Sequence, residues 1–233
     1  MGRLGLAIII PAHNEAATIG SIVKSAKSYG TVIVVDDGST DDTGKIAKSG
    51  GAIVITNKTA MGYEGALNKG LYKALECDVE ALITLDADGE HNPKYIADYK
   101  HILLTKKISV CLGIRPKKQR FSEYVLCGYV RLIHGPEDIL CGMKGYRLDA
   151  LKNIKNLNLG QLVGTHLAIK LIRLKYSFLQ HHMKDAVSRE DQPRYGNVIG
   201  ANIAILKALT ILIFDDIKFI NKKRGLNKIK DAK

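Results

Sequence analysis

Short apolar runs alternate with helical patterns through the first half of the chain, and each run ends in a polar loop. Residues 6–10 form an unbroken apolar stretch, rich in isoleucine, closed by Pro11-Ala12-His13-Asn14-Glu15. A short run of this kind predicts a buried strand opening into a loop. Val32-Ile33-Val34-Val35 is a β-branched run that ends in Asp36-Asp37-Gly38-Ser39-Thr40-Asp41-Asp42-Thr43. Gly38 permits a turn there, and Asp41, Asp42 or Thr43 can cap the helix that follows. A third run, 81–85, ends in Asp86-Ala87-Asp88-Gly89-Glu90-His91.

Between the runs, residues 16–29 place Ile19, Ile22, Val23 and Ala26 at helical spacing. Residues 44–49 and 63–76 predict further helices, 52–56 and 109–113 further strands, and Pro93 suits the first turn of a helix reaching about residue 105. The alternation predicts an α/β fold, a Rossmann-like, mostly parallel sheet flanked by helices. Parallel strands joined by helices bring the three polar loops to one edge of the sheet.

From Arg115 the pattern changes. Residues 115–120 are a basic loop, 121–133 read as a helix, 164–174 as a helix and 176–182 as a strand, while 139–146 carry the motif that begins at Cys141. A polar loop over 184–197 carries Arg189 and Arg194. Residues 198–214 are apolar but interrupted by Asn202 and Lys207, and 17 residues is the short limit for a membrane span. They are expected to form an interfacial or packing helix, followed by a basic tail. This divides the chain into a domain over 1–197, with halves 1–115 and 116–197, and a helix and tail over 198–233.

Two carboxylates one residue apart after a strand, Asp86 and Asp88, should point to one side and repel each other unless a cation joins them. Hard oxygen donors of this kind suit Mg²⁺ or Mn²⁺ shared with a diphosphate. Charge agrees: 35 Lys and Arg against 23 Asp and Glu give a net +12, which calls for an anionic partner. With no Trp, four Phe and no basic stretch interleaved with aromatics, nucleic acid is disfavoured. A nucleotide diphosphate, a lipid phosphate or an anionic membrane surface fits better. Cys77, Cys111, Cys127 and Cys141 lack zinc spacing and read as reduced thiols of a cytoplasmic protein. The N-terminal apolar run is too short for a signal sequence and is expected to serve as the first strand.

Pro-Ala-His-Asn-Glu, then Val-Val-Asp-Asp-Gly-Ser-Thr-Asp-Asp-Thr, then Asp-Ala-Asp-Gly-Glu-His, in that order, resemble glycosyltransferase family 2. The resemblance implies a GT-A fold and an inverting, metal-dependent transfer of a sugar from a nucleotide-diphosphate sugar. It makes 1–115 the nucleotide-sugar half and 116–197 the acceptor half. Pro11, Ala12 and Glu15 match nucleotide-holding positions, and Asp37 matches a base contact. Asp86 matches a position contacting nucleotide and metal shell, Asp88 the principal metal ligand, and Glu90 a position that completes the metal site. His13 departs from the usual tyrosine, and Glu64 stands where a lysine is common at the start of the third helix. Asp138, ahead of Cys141-Gly142-Met143-Lys144, matches an acid beside the sugar and is expected as general base, a role a phosphate acceptor would not need. Arg115 matches a substrate-side arginine. Arg189 and Arg194 sit where a loop closes on the diphosphate and are expected to stabilise the leaving group. A polyprenyl phosphate or lipid-linked glycan is the implied acceptor. With the apolar helix and basic tail, it suggests a peripheral protein at the inner face of the cell membrane, with a homodimer left open.

Overall fold

The computed structural model describes residues 5–154, 163–185 and 198–230, with side chains described as far as Asn221 in the last stretch. Seven strands form one sheet: β1 (Leu6–Ala12), β2 (Thr31–Asp36), β3 (Ile53–Thr56), β4 (Ala81–Thr84), β5 (Val110–Ile114), β6 (Lys144–Arg147) and β7 (Phe178–His182). Their order is β3-β2-β1-β4-β6-β5-β7, and β6 alone runs antiparallel to its neighbours. The helices are α1 (Ile19–Ala26), α2 (Thr43–Ser49), α3 (Gly62–Leu75), α4 (Tyr95–Lys100), α5 (Phe121–His134), α6 (Leu148–Lys152), α7 (Val163–Arg173) and α8 (Val198–Lys230).

β1 shows why the sheet sits where it does. Every residue of it is buried. Successive side chains point to opposite faces, so Ala7 and Ile9 join one apolar layer while Ile8 and Ile10 join the other. The first layer continues into α3, α5 and α7 through Leu67, Leu71, Leu126 and Leu167. The second continues into α1 and α4 through Ile19, Val23, Ile96 and Tyr99. The four residues that mark the expected amphipathic face of the first helix, Ile19, Ile22, Val23 and Ala26, are the ones α1 buries.

Three elements differ from expectation. β6 overlaps the end of 139–146, a stretch to which the sequence assigned no element, and extends to Arg147. Its sequence, Lys-Gly-Tyr-Arg, has no apolar run, and its place comes from backbone pairing with Thr84 on one side and Leu112 on the other. The helix after Pro93 is α4, and it ends in a π-helical turn over His101–Thr105 rather than as regular α-helix. The apolar segment after 198 does not stop near residue 214: α8 runs on to Lys230, so most of the expected basic tail is helical. Ala208 and Leu212 of α8 belong to the same apolar layer as α5 and α7. Among the described residues, no helix is long and apolar enough to cross a membrane.

Candidate active site

The carboxyl ends of β1, β2, β4 and β5 share one edge of the sheet, and β6 begins there. Ligands of open α/β sheets bind outside that edge. Pro11 and Ala12 end β1 and are buried, and the Asp37 amide donates to the Ala12 carbonyl at 2.8 Å. The His13 ring contacts the Asp37 carbonyl at 2.8 Å, so it pins the turn after β2. Glu15 is half-buried and receives the Thr18 hydroxyl at 3.0 Å on its carboxylate. The same hydroxyl lies 2.7 Å from the Ala87 carbonyl, which links the β1 loop to the β4 loop.

Asp37 is 4% exposed and accepts the Asn57 amide at 2.6 Å and the Met61 backbone N–H at 2.8 Å, both on Oδ1. Lys69 donates to the Asn57 carbonyl oxygen at 2.5 Å. Gly38 takes φ +70°, the left-handed conformation its turn needs and a side chain would resist. Asp36 is also buried, and its Oδ1 accepts the Ser39 N–H at 3.1 Å.

The acidic loop after β4 departs from the expected alternation. β4 ends at Thr84, so Asp86 and Asp88 lie beyond the strand, in a loop where Gly89 takes φ +81°. Asp86 is 2% exposed, receives the Tyr63 hydroxyl at 3.0 Å, and lies 3.7 Å from His91 Nδ1. Asp88 is half-exposed and accepts the Glu90 N–H at 3.0 Å. The side chains that converge are Asp86, Glu90 and His91, whose ligand atoms lie within 4.8 Å of one another. Two carboxylates and an imidazole are donors that Mn²⁺ accepts readily, and Mg²⁺ would take the carboxylate oxygens, so the residues present fit a divalent ion. Gly142 backs this cluster. A Cβ at that position would overlap the Asp86 carboxylate.

Arg115 and Asp138 meet at the end of β5. Arg115 Nε donates to Asp138 Oδ2 at 2.9 Å and its Nη2 to Oδ1 at 3.1 Å, a two-point pair. Arg115 also reaches Glu123 at 3.0 Å, and Arg120 reaches the other oxygen of Glu123 at 3.0 Å. Asp138 is fully buried. Burial pushes its carboxyl up, but the hydrogen bonds and charge of Arg115 outweigh it and hold the group below the usual carboxylate range. A carboxylate with both oxygens on a guanidinium is a poor proton acceptor. The geometry therefore speaks against the expected base role and for one of holding Arg115. Arg189 and Arg194 lie outside the described residues.

The fold brings three more residues to this edge: Lys144 and Tyr63, to which the sequence assigned no role, and His91, whose place in the motif suggested local packing before metal binding. Lys144 is 5% exposed, burial lowers its pKa, and its Nζ donates to the Cys141 carbonyl while Asp138, Asp86 and Glu64 exert their charge on it. Tyr63 touches Asp86, as above. His91 also sits 3.4 Å from Cys141 Sγ, whose thiol burial pushes up to about 12. Lys144 stands at the basic position of the Cys-Gly-Met-Lys motif, so the motif held a signal for it. Glu64, the departure at the start of α3, accepts the Val163 N–H at 2.5 Å. An acid there satisfies an orphan donor and the positive end of α7.

Comparison with known proteins agrees with the fold and the order of the motifs. The model of glycosyl transferase family 2 matches residues 7–154, and the chain belongs to that family. It is 32% identical to the UDP-N-acetylglucosamine–dolichyl-phosphate N-acetylglucosaminyltransferase of Methanococcus voltae, covering 62% of this chain and 70% of that protein. It is 29% identical to the undecaprenyl-phosphate mannosyltransferase of Micrococcus luteus, covering 63% and 68%. It is also 32% identical to an uncharacterised protein of Methanocaldococcus jannaschii, over 63% of this chain and 66% of that one. The chain thus spans about two thirds of the length of these relatives. Among solved structures, glucosyl-3-phosphoglycerate synthase of Mycobacterium tuberculosis, in complex with Mn²⁺, UDP and phosphoglyceric acid, matches with a TM-score of 0.67 at 21% identity. That match covers 88% of this chain and 78% of that one, and it shows a shared GT-A fold.

Proposed function

We propose that this protein transfers a sugar, with inversion, from a nucleotide-diphosphate sugar to a polyprenyl phosphate or related lipid-linked acceptor at the inner face of the cell membrane. The observation that carries the reading is the convergence at one sheet edge of buried Asp37, the Asp86–Glu90–His91 cluster and the Arg115–Asp138 pair. The names of the archaeal and bacterial relatives support the class of acceptor.

In this reading Pro11, Ala12, Glu15 and Asp37 hold the nucleoside, with Asp37 as the base contact. Asp86, Asp88, Glu90 and His91 would hold Mg²⁺ or Mn²⁺. A divalent ion bound there supplies neutralisation of the charge that builds on the leaving nucleotide. Arg189 and Arg194, outside the described residues, are assigned the stabilisation of the leaving diphosphate. Arg115, oriented by Asp138, faces the acceptor phosphate. A phosphate oxygen is already ionised at neutral pH, so no general base is required, consistent with an Asp138 committed to Arg115.

The test is a thermal-shift panel of UDP, GDP, CDP and dTDP with and without Mn²⁺, followed by turnover of the stabilising donor on a short polyprenyl phosphate. The expected result is stabilisation by one diphosphate that depends on Mn²⁺, and transfer to the lipid. No stabilisation by any of the four, with metal present, would sink the proposal.

A further inference from the structure

α5 and α8 each carry apolar side chains on two opposite faces. The inward face of α5 is Ser122, Glu123, Leu126, Cys127 and Val130. Its outward face carries Phe121, Tyr124, Val125 and Leu132, at spacings of three, four and eleven residues that place them on one stripe. Phe121 is 81% and Leu132 83% exposed, values expected of lysine rather than of large apolar groups. On α8, Ala201, Ala208 and Leu212 turn inward, while Ile199, Ile203, Leu206, Phe214 and Ile217 are exposed along the opposite side. The helices run in parallel against each other. The Ser122 N–H donates to Asn202 Oδ1 at 3.3 Å near their starts, and Tyr129 and His134 meet Asp216 at 2.8 and 3.0 Å further along. Single exposed apolar residues are ordinary, but two stripes on neighbouring helices mark an interaction surface.

Charge decides what covers it. Lys117, Lys118 and Arg120 lead into α5, with Lys118 Nζ 5.5 Å from the Tyr124 ring centre. Arg131 on α5 and Lys207 and Lys218 on α8 are exposed beside the stripes. The sequence of α8 adds five more Lys and Arg between residues 222 and 230. The acids of these helices are turned inward or half-buried: Glu123 and Asp216 are ion-paired and buried. A second copy of a chain carrying +12 would oppose cation to cation. An anionic bilayer accepts both the apolar stripes and their cationic borders.

We propose that α5 and α8 together form a two-helix docking surface that lies in the headgroup region of an anionic membrane, with α5 as necessary to it as α8. α5 begins at the Arg115–Glu123–Arg120 corner, so docking sets that corner at the level of lipid phosphates. This last consequence, though not the docking itself, rests on the lipid-linked acceptor proposed above.

The experiment uses the full chain and vesicles of phosphatidylcholine with or without phosphatidylglycerol, free of donor and of polyprenyl lipid, so its outcome does not depend on sugar transfer. Co-sedimentation is measured for the wild type, for Phe121→Ser with Leu132→Ser, and for Ile203→Ser with Phe214→Ser. All four positions are exposed, and circular dichroism checks that the variants fold. Binding is expected only to anionic vesicles, weaker in high salt, and reduced about tenfold or more in each double variant through lost apolar burial. An α5 variant that sediments like the wild type overturns the two-helix surface. Absence of vesicle binding, with a concentration-dependent dimer that the same substitutions dissolve, assigns the face to a second copy and also overturns it.

Discussion

The loops after β1, β2 and β4 and the helix pair α5–α8 break opposite rules. At the loops, polar groups are buried: Asp36, Asp37, Asp86 and His91 are all nearly inaccessible. On the helix pair, apolar groups are exposed. Burying a carboxylate costs several kcal/mol unless partners surround it, so the loops are crowded with donors. Exposing leucine and phenylalanine sacrifices about 1.5–3 kcal/mol per side chain that burial would have supplied. Each region departs from the pattern that maximises stability, and the two departures are where the proposed donor site and the proposed docking surface lie.

The contrast is broken most severely at the acidic loop. Asp88 is half-exposed, so Asp88→Ala should fold normally, yet turnover should fall at least about a hundredfold, because charge neutralisation at a metal is worth several kcal/mol. Steady-state kinetics with and without chelator, beside an unchanged melting curve, check this. Retained turnover would remove Asp88 from the site.

Next in size is Arg115→Ala. It strands Asp138 in the interior and leaves Glu123 with Arg120 as its remaining ion pair, and loss of one partner of a buried pair costs about 3–5 kcal/mol. Urea unfolding measures it. The pH dependence of the wild type should show the same group. The folded carboxyl of Asp138 lies below its unfolded value, so its contribution is complete above that value, near pH 4, and is lost as pH falls through the lower folded one. Acid sensitivity in that window should shrink in Arg115→Ala.

A smaller effect is expected from Asp37→Ala. It removes the acceptor of Asn57 and Met61 and the proposed base contact, and should weaken binding of the preferred nucleoside diphosphate by about 1–3 kcal/mol, read by calorimetry. Affinity equal to wild type would confine Asp37 to holding its own loop. The smallest concerns the helix pair. Burial and the hydrogen bond to Asp216 push the Tyr129 phenol up to about 12. Asp216→Asn should bring it back toward its ordinary value in an ultraviolet titration. An unmoved phenol would mean α8 does not hold α5 through that contact.

The first half was legible because it obeys local rules. β1 and β2 are apolar runs that end in motifs, and Ile19, Ile22, Val23 and Ala26 face inward at the spacing their helix dictates. β6 was not legible, since nothing in Lys-Gly-Tyr-Arg announces a strand until β4 and β5 stand on either side to pair with it. The site divides likewise. Asp37 and Asp86 follow from motifs, whereas the pairing of Arg115 with Asp138 and the contact of Glu64 with the start of α7 are tertiary contacts between segments distant in sequence, and His91 meets Asp86 only through the fold of their shared loop. Strand alternation is not what orients Asp86 and Asp88, because β4 ends at Thr84 and both acids belong to the loop that follows.

The Thr18 hydroxyl has one proton and three oxygens within reach: the Glu15 carboxylate at 3.0 Å, the Glu15 carbonyl at 3.2 Å and the Ala87 carbonyl at 2.7 Å. Those acceptors belong to two loops, one after β1 and one after β4. A single O–H bond therefore serves as the rivet between segments 69 residues apart, and a Thr18→Val exchange would unfasten them without touching the core of either strand.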